Sequence, residues 1–232
     1  MTFLSELIKS IEDENPDDWW INSRKESIKL FPELENELNV HEKALEVMDN
    51  DSKKIMFEKA KLAFSSNHNS RGKHQFFDTL NEALAYEYLI NTGFHNVHLL
   101  QEVKKHKMPD IKFTCNGIDY FCEVKTIGAS DNELKLQQTS EVFNSSIYKE
   151  LNENFFNKLQ NTISIASDQI SKHSENGIIY IIINFDDFTL THYETYQEQI
   201  SKYLTKTFPS LSITLRIGID KHYQMSHNNL NA

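Results

Sequence analysis

Apolar residues recur at helical spacing through the first third of the chain. Phe3, Leu4, Leu7, Ile8 and Ile11 form one such stripe, and Leu30, Leu34, Leu38, Ala44 and Met48 continue it less regularly. Pro16 and Pro32 punctuate the series, and the polar run from Ser65 to Ser70 reads as a linker. The pattern therefore predicts a helical arm or subdomain over residues 1–70 and an α/β domain over 71–232, with one core as the default. Within that domain, Phe76, Phe77, Leu80, Ala83, Leu84, Tyr88 and Leu89 predict a helix that stops at Gly93, a residue suited to a left-handed cap. A short strand is expected near Val97 to Leu100. Two alternating runs follow, Asp110 to Cys115 and Ile118 to Lys125, joined by Asn116-Gly117, the favoured two-residue hairpin turn.

Beyond a loop, Leu151, Phe155, Leu159, Ile163, Ala166 and Ile170 mark a long helix, and Gly177 leads into the unbroken apolar run Ile178 to Ile183. A strand buried on both faces has that composition, which suits the middle of a sheet. A helix near Tyr193 to Leu204 and a strand near Ser212 to Ile217 complete an α/β chain. The tail from about His222 is polar and is expected to fray.

The hairpin sets a register. With Asn116 and Gly117 as loop residues, Cys115 faces Ile118, Phe113 faces Tyr120 and Ile111 faces Cys122, on one apolar face; Asp110 then stands opposite Glu123 on the other. Lys125, two residues beyond, shares the face of Glu123. Two carboxylates directly opposed across a hairpin repel, and a cation between them removes the penalty. Hard oxygen donors suit Mg²⁺, with Mn²⁺ able to substitute. The Lys125 ammonium would orient an attacking water or stabilise charge developing on phosphorus.

The run NEALAYEYLINTGFHNV, then PDIKF, then YFCEVKT resembles the three-part signature of the PD-(D/E)xK, or restriction-endonuclease-like, nuclease superfamily. The resemblance covers roughly residues 76 to 184 and implies an αβββαβ core, a mixed sheet flanked by helices. It implies Asp110 and Glu123 as ligands of a Mg²⁺ ion, Lys125 as the lysine that serves the water, Glu82 as the helical acid, and the carbonyl of Val124 as a further ligand. Glu87 lies on the same helix as Glu82, but Glu82 matches the family's spacing better. Pro16-Asp17, Asp51-Ser52-Lys53, Asp110-Ile111-Lys112 and Glu133-Leu134-Lys135 satisfy fragments of the motif. What distinguishes Pro109-Asp110 with Glu123-Val124-Lys125 is a place on paired strands, after a helix and before a helix and strand.

The expected activity is Mg²⁺-dependent hydrolysis of DNA, in restriction, anti-phage defence or repair, with RNA as another possible substrate. The formal net charge of −10 opposes attraction to a phosphate backbone; residues 1–70 alone carry a net −6. This supports an alternative, a catalytically silent nuclease fold acting as an acidic immunity-type protein or complex subunit. Lys104, Lys105 and Lys107, beside Pro109-Asp110, form a basic loop that either grips phosphates or merely solvates a strand edge, and Arg71 with Lys73 forms a second such cluster. The resemblance also implies a homodimer, or a partner protein bound through the arm.

Other features read as structural. Cys115 and Cys122 lack the spacing of a zinc or redox pair and suit a core, His95 and His98 have no acid nearby to complete a shell, and Trp19-Trp20 sits beside Asp17 and Asp18, which would repel nucleic acid. The longest apolar run is too short to cross a bilayer, and the acidic N-terminal stretch is unlike a signal peptide, so a cytoplasmic protein is expected.

Overall fold

The computed structural model describes residues 2–32, 38–65, 73–101, 107–128, 150–184, 192–218, 223–228 and 230. These form seven helices and one six-stranded mixed sheet. The helices α1 (Phe3–Glu14), α2 (Trp19–Leu30), α3 (Asn39–Glu46) and α4 (Asn50–Ser65) make up the arm, and α5 (His74–Asn91) leads into the sheet region. Next come β1 (His95–Leu99), β2 (Ile111–Cys115), β3 (Ile118–Ile127), α6 (Glu153–Ser171), β4 (Gly177–Ile183), α7 (Tyr193–Thr207), β5 (Ile213–Ile217) and β6 (Tyr223–His227). Among the described residues no helix is long and apolar enough to cross a membrane.

Local chemistry accounts for several element ends. Asp18 caps α2 by accepting from the N–H groups of Trp20 and Ile21, and Asn152 caps α6 by accepting from that of Phe155. Helix α5 closes as the sequence predicts. Gly93 takes a φ of 93°, its N–H donates to Ile90 O, and the Phe94 N–H reaches back to Leu89 O, satisfying two carbonyls that the helix leaves over. In the hairpin, Asn116 and Gly117 both have positive φ, 51° and 78°, matching the right-handed twist of the flanking strands.

The strands lie in sequence order across the sheet. β1, β2 and β3 are antiparallel, β3, β4 and β5 parallel, and β6 is antiparallel to β5. As predicted, β4 is central and buried on both faces. Its first residue must be glycine: an added Cβ would lie 2.6 Å from Ile170 Cγ2 and 2.7 Å from Phe121 O. The tail is not frayed over residues 223–227, where β6 pairs with β5 from Ile213–His227 to Ile217–Tyr223. This edge strand needs only backbone bonds and a few side-chain contacts, which its polar composition hides. Tyr223 stacks on Tyr193 with ring centroids 3.7 Å apart, and Met225 packs against the core.

The two sheet faces carry different cores. Leu159, Ile163, Ala166 and Ile170 of α6 and Ile200 and Leu204 of α7 cover Ile127, Ile179, Ile181 and Ile183. On the opposite face, Leu80, Leu84 and Leu89 of α5 pack with Cys122, Val124, Ile178, Tyr180 and Ile182. That second cluster continues without a break into Leu4, Leu7, Leu45, Met56 and Phe64 of the arm. Trp20 joins it edge-on to Phe64, Phe76 and Phe77. The linker expected from Ser65 to Ser70 lies outside the described residues apart from Ser65, which closes α4.

Candidate active site

The site arises because β2 is shorter than β3. Their pairing runs from Cys115–Ile118 to Ile111–Cys122, in the predicted register, and there β2 ends while β3 continues to Ile127 against β4 alone. Backbone direction alternates along a strand. Phe121 donates to Asn176 O and Ile127 O accepts from Asn184 on the β4 side, so the N–H and C=O groups of Val124 and Thr126 point to the uncovered edge.

Asp110 fills the head of that edge, by a geometry the register alone does not give. Its N–H donates to Cys122 O at 3.1 Å, and its carbonyl accepts from the Leu100 N–H at 2.8 Å. It therefore does not pair squarely with Glu123. Its side chain caps the strand edge instead, Oδ2 accepting from the Val124 N–H at 2.8 Å. The Val124 carbonyl opens on the same side.

Glu123 and Lys125 alternate with Cys122 and Val124 and so start from the face toward α6. Glu123 is only 1% exposed; Lys125 donates to its Oε1, while Oε2 is buried with no hydrogen-bond partner among the described residues. Burial pushes its carboxyl up to about 8, aided by the charge of Asp110 and opposed by Lys125 and Lys59. From the other side, Glu82 of α5 presents both oxygens to Lys59 of α4, at 2.8 and 2.6 Å from Nζ. Lys59 Nζ also lies 3.7 Å from Asp110 Oδ1. Lys59, Glu82, Asp110, Val124 and Lys125 line one cleft of about 530 Å³, with Glu123 buried beside it.

The surroundings hold this geometry. The Gln169 amide donates to Met108 O at 2.7 Å and His173 Nε2 lies 3.0 Å from Lys107 O, so α6 and the turn after it fasten the backbone that delivers Pro109 and Asp110. Asn81 bridges α3 to the strand edge, with His41 Nε2 3.0 Å from its Oδ1 and its amide donating to Thr126 Oγ1 at 3.1 Å.

Asp110, Val124, Lys125 and Glu82 thus line one cleft, and Glu123 is buried beside it. Glu87 is half-buried further along α5 and does not line the cleft. Lys107 is exposed. Lys73 is not a surface cation: its ammonium is buried, 2.7 Å from Asp18 Oδ2 and 3.5 Å from the centre of the Phe64 ring, so it anchors α2 rather than facing solvent. Arg71, Lys104 and Lys105 lie outside the described residues. Sequence reading missed Lys59. It stands in a lysine-rich helix with no spacing relation to the motif, and only folding brings it to the acids.

No family model, curated protein or solved structure matches this chain. Among the described residues, no three His, Cys, Asp or Glu side chains form a ready-made metal cage. A Mg²⁺ site needs less than a cage, because that ion keeps several waters and takes one or two carboxylates. Asp110 and the Val124 carbonyl supply hard oxygens, and the buried Oε2 of Glu123 has no donor to accept from among the described residues. Three carboxylates, Glu82, Asp110 and Glu123, meet two ammonium groups, Lys59 and Lys125. The donor set fits a hard divalent cation.

Proposed function

We propose that this protein is a Mg²⁺-dependent nuclease of the PD-(D/E)xK kind that hydrolyses phosphodiester bonds in DNA. The observation that carries the reading is the split between β2 and β3, where Asp110, the Val124 carbonyl and the Glu123–Lys125 pair meet Glu82 at one cleft. The element order from α5 through β1, β2, β3 and α6 to β4 also agrees with the αβββαβ core of restriction-endonuclease-like folds.

In this reading Asp110, Glu123 and the Val124 carbonyl would hold the divalent ion, and Glu82 would contribute negative charge from the helix side. When bound, the ion supplies Lewis acidity toward the phosphate and lowers the pKa of an attacking water. Lys125, fixed by Glu123, positions that water and stabilises negative charge on the phosphoryl oxygens. The water oxygen bonds to phosphorus, the bond to the leaving ester oxygen breaks, and the proton lost by the water is balanced by one gained at the leaving oxygen. The exposed Lys107 stands on the segment leading to Asp110, where a phosphate backbone would enter.

The net charge of −10 favours a second reading, an acidic binding module on the same fold. The two are separated by incubating the purified protein with plasmid, single-stranded DNA and RNA, in Mg²⁺, in Mn²⁺ and in EDTA. Metal-dependent cutting of either DNA supports the nuclease, and cutting of RNA alone moves the substrate class. No cutting of any substrate, with no metal uptake, favours the binding module.

A further inference from the structure

The acids of the cleft already hold a cation, and it comes from the arm. Lys59 Nζ is 2.6 and 2.8 Å from the two oxygens of Glu82 and 3.7 Å from Asp110 Oδ1. The side chains of Lys59, Glu82 and Asp110 are only 13%, 10% and 16% exposed. Like charges so poorly solvated repel strongly, and an ammonium between them offsets the repulsion.

We propose that Lys59 is a built-in counter-ion, seated between Glu82 and Asp110 in the metal-free protein and exchanged for the divalent ion when the site loads. This rests on the metal-dependent reading above. One ammonium carries half the charge of Mg²⁺, so a loaded ion would offset the charges of Asp110 and Glu82 more strongly and the lysine would give way. Lysine suits the exchange, being a single charge on a flexible four-carbon stem. Its root stays fixed, because Met56, Ala60 and Phe64 anchor α4 in the core, while Leu62 and Ala63 of the same helix line the cleft into which the ammonium is released. There it joins Lys125 as a second positive charge facing a bound phosphate. Helix α4 is then part of the site, and the arm reports its metal occupancy.

The test measures metal alone, without turnover. Titration of the full chain with Mn²⁺ by calorimetry, beside Lys59→Met, is expected to show at least about tenfold tighter binding in the variant, from loss of a competitor. The variant should also melt lower than wild type in EDTA and gain more in Tm on adding Mn²⁺. Lys59→Gln provides the same comparison should the methionine variant not fold. In the unaltered protein, amine labelling of Lys59 followed by mass spectrometry should rise when Mn²⁺ is added. Wild-type Mn²⁺ binding with unchanged or weaker binding in the Lys59 variants, or labelling indifferent to the metal, overturns the exchange and leaves the nuclease reading standing. Absence of Mn²⁺ binding in every form, with Asp110→Asn no different from wild type, overturns both.

Discussion

Asp110 serves the backbone and, in the proposed reading, the chemistry as well. It satisfies the Val124 N–H that β2 leaves uncovered, and it offers its other oxygen to the cleft. The two roles separate by substitution. Asp110→Asn keeps an oxygen able to accept from Val124 but loses the charge, so cutting should fall by about 10²-fold or more while the melting temperature stays near wild type. Asp110→Ala should show the same loss of cutting and also a stability cost of about 1–3 kcal/mol, because a part-buried N–H loses its partner. Circular dichroism melts beside a cleavage assay check both. An Asp110→Asn enzyme that cuts at full rate would remove Asp110 from the site. At this scale the sequence is informative where residues are close along the chain or paired through a tight turn: Asp110, Glu123, Val124 and Lys125. It is uninformative for Lys59, whose role depends on how α4 lies over α5. It misleads for Lys73, whose charge turns inward to Asp18, 55 positions away.

Elements with their own stop signals are legible in the order of residues alone. Asn116-Gly117 and Gly93 carry the positive φ values their turns require. β6 is not legible, because an edge strand of polar residues has little apolar alternation to betray it. Two predictions belong here. Gly177→Ala forces a methyl group against Ile170 and the Phe121 carbonyl, where β4 enters the sheet beside α6. Overpacking of this kind costs roughly 1–3 kcal/mol, and a fall of several degrees in Tm is expected. An unchanged Tm would mean that Ile170 repacks freely. The second concerns the junction of α4, α5 and β1, where Asp49 accepts from the Ser52 N–H and hydroxyl and the Tyr86 hydroxyl, and pairs with His98. Burial alone would raise the Asp49 carboxyl, but these hydrogen bonds carry it down to about 2. A depressed folded-state value contributes stability that is present above about pH 4 and is lost as pH falls toward 2. Chemical denaturation across that window should show Asp49→Asn lacking part of the wild-type acid sensitivity; equal slopes would mean the junction does not discriminate.

Over the whole molecule, the helical arm and the sheet share one hydrophobic cluster, from Leu4 and Phe64 through Leu84 to Tyr180. Apolar periodicity places the arm's helices but cannot show that they close over the same sheet face as α5, since that depends on contacts distant in sequence. The overall charge of −10 likewise says little about the cleft, where Lys59 and Lys125 stand beside Asp78, Glu82 and Asp110, with Glu123 buried next to them. Fold and charge permit either an enzyme or a binding module; the distinction lies in whether Lys125 acts on a phosphate. The most direct measurement is single-turnover cleavage of a supercoiled plasmid in Mg²⁺ by the wild-type protein and by Lys125→Ala, with metal binding and melting followed in parallel. The account predicts cutting by the wild type and a loss of about 10²-fold or more in the variant, with the fold kept. Cutting that survives the loss of Lys125 would contradict it.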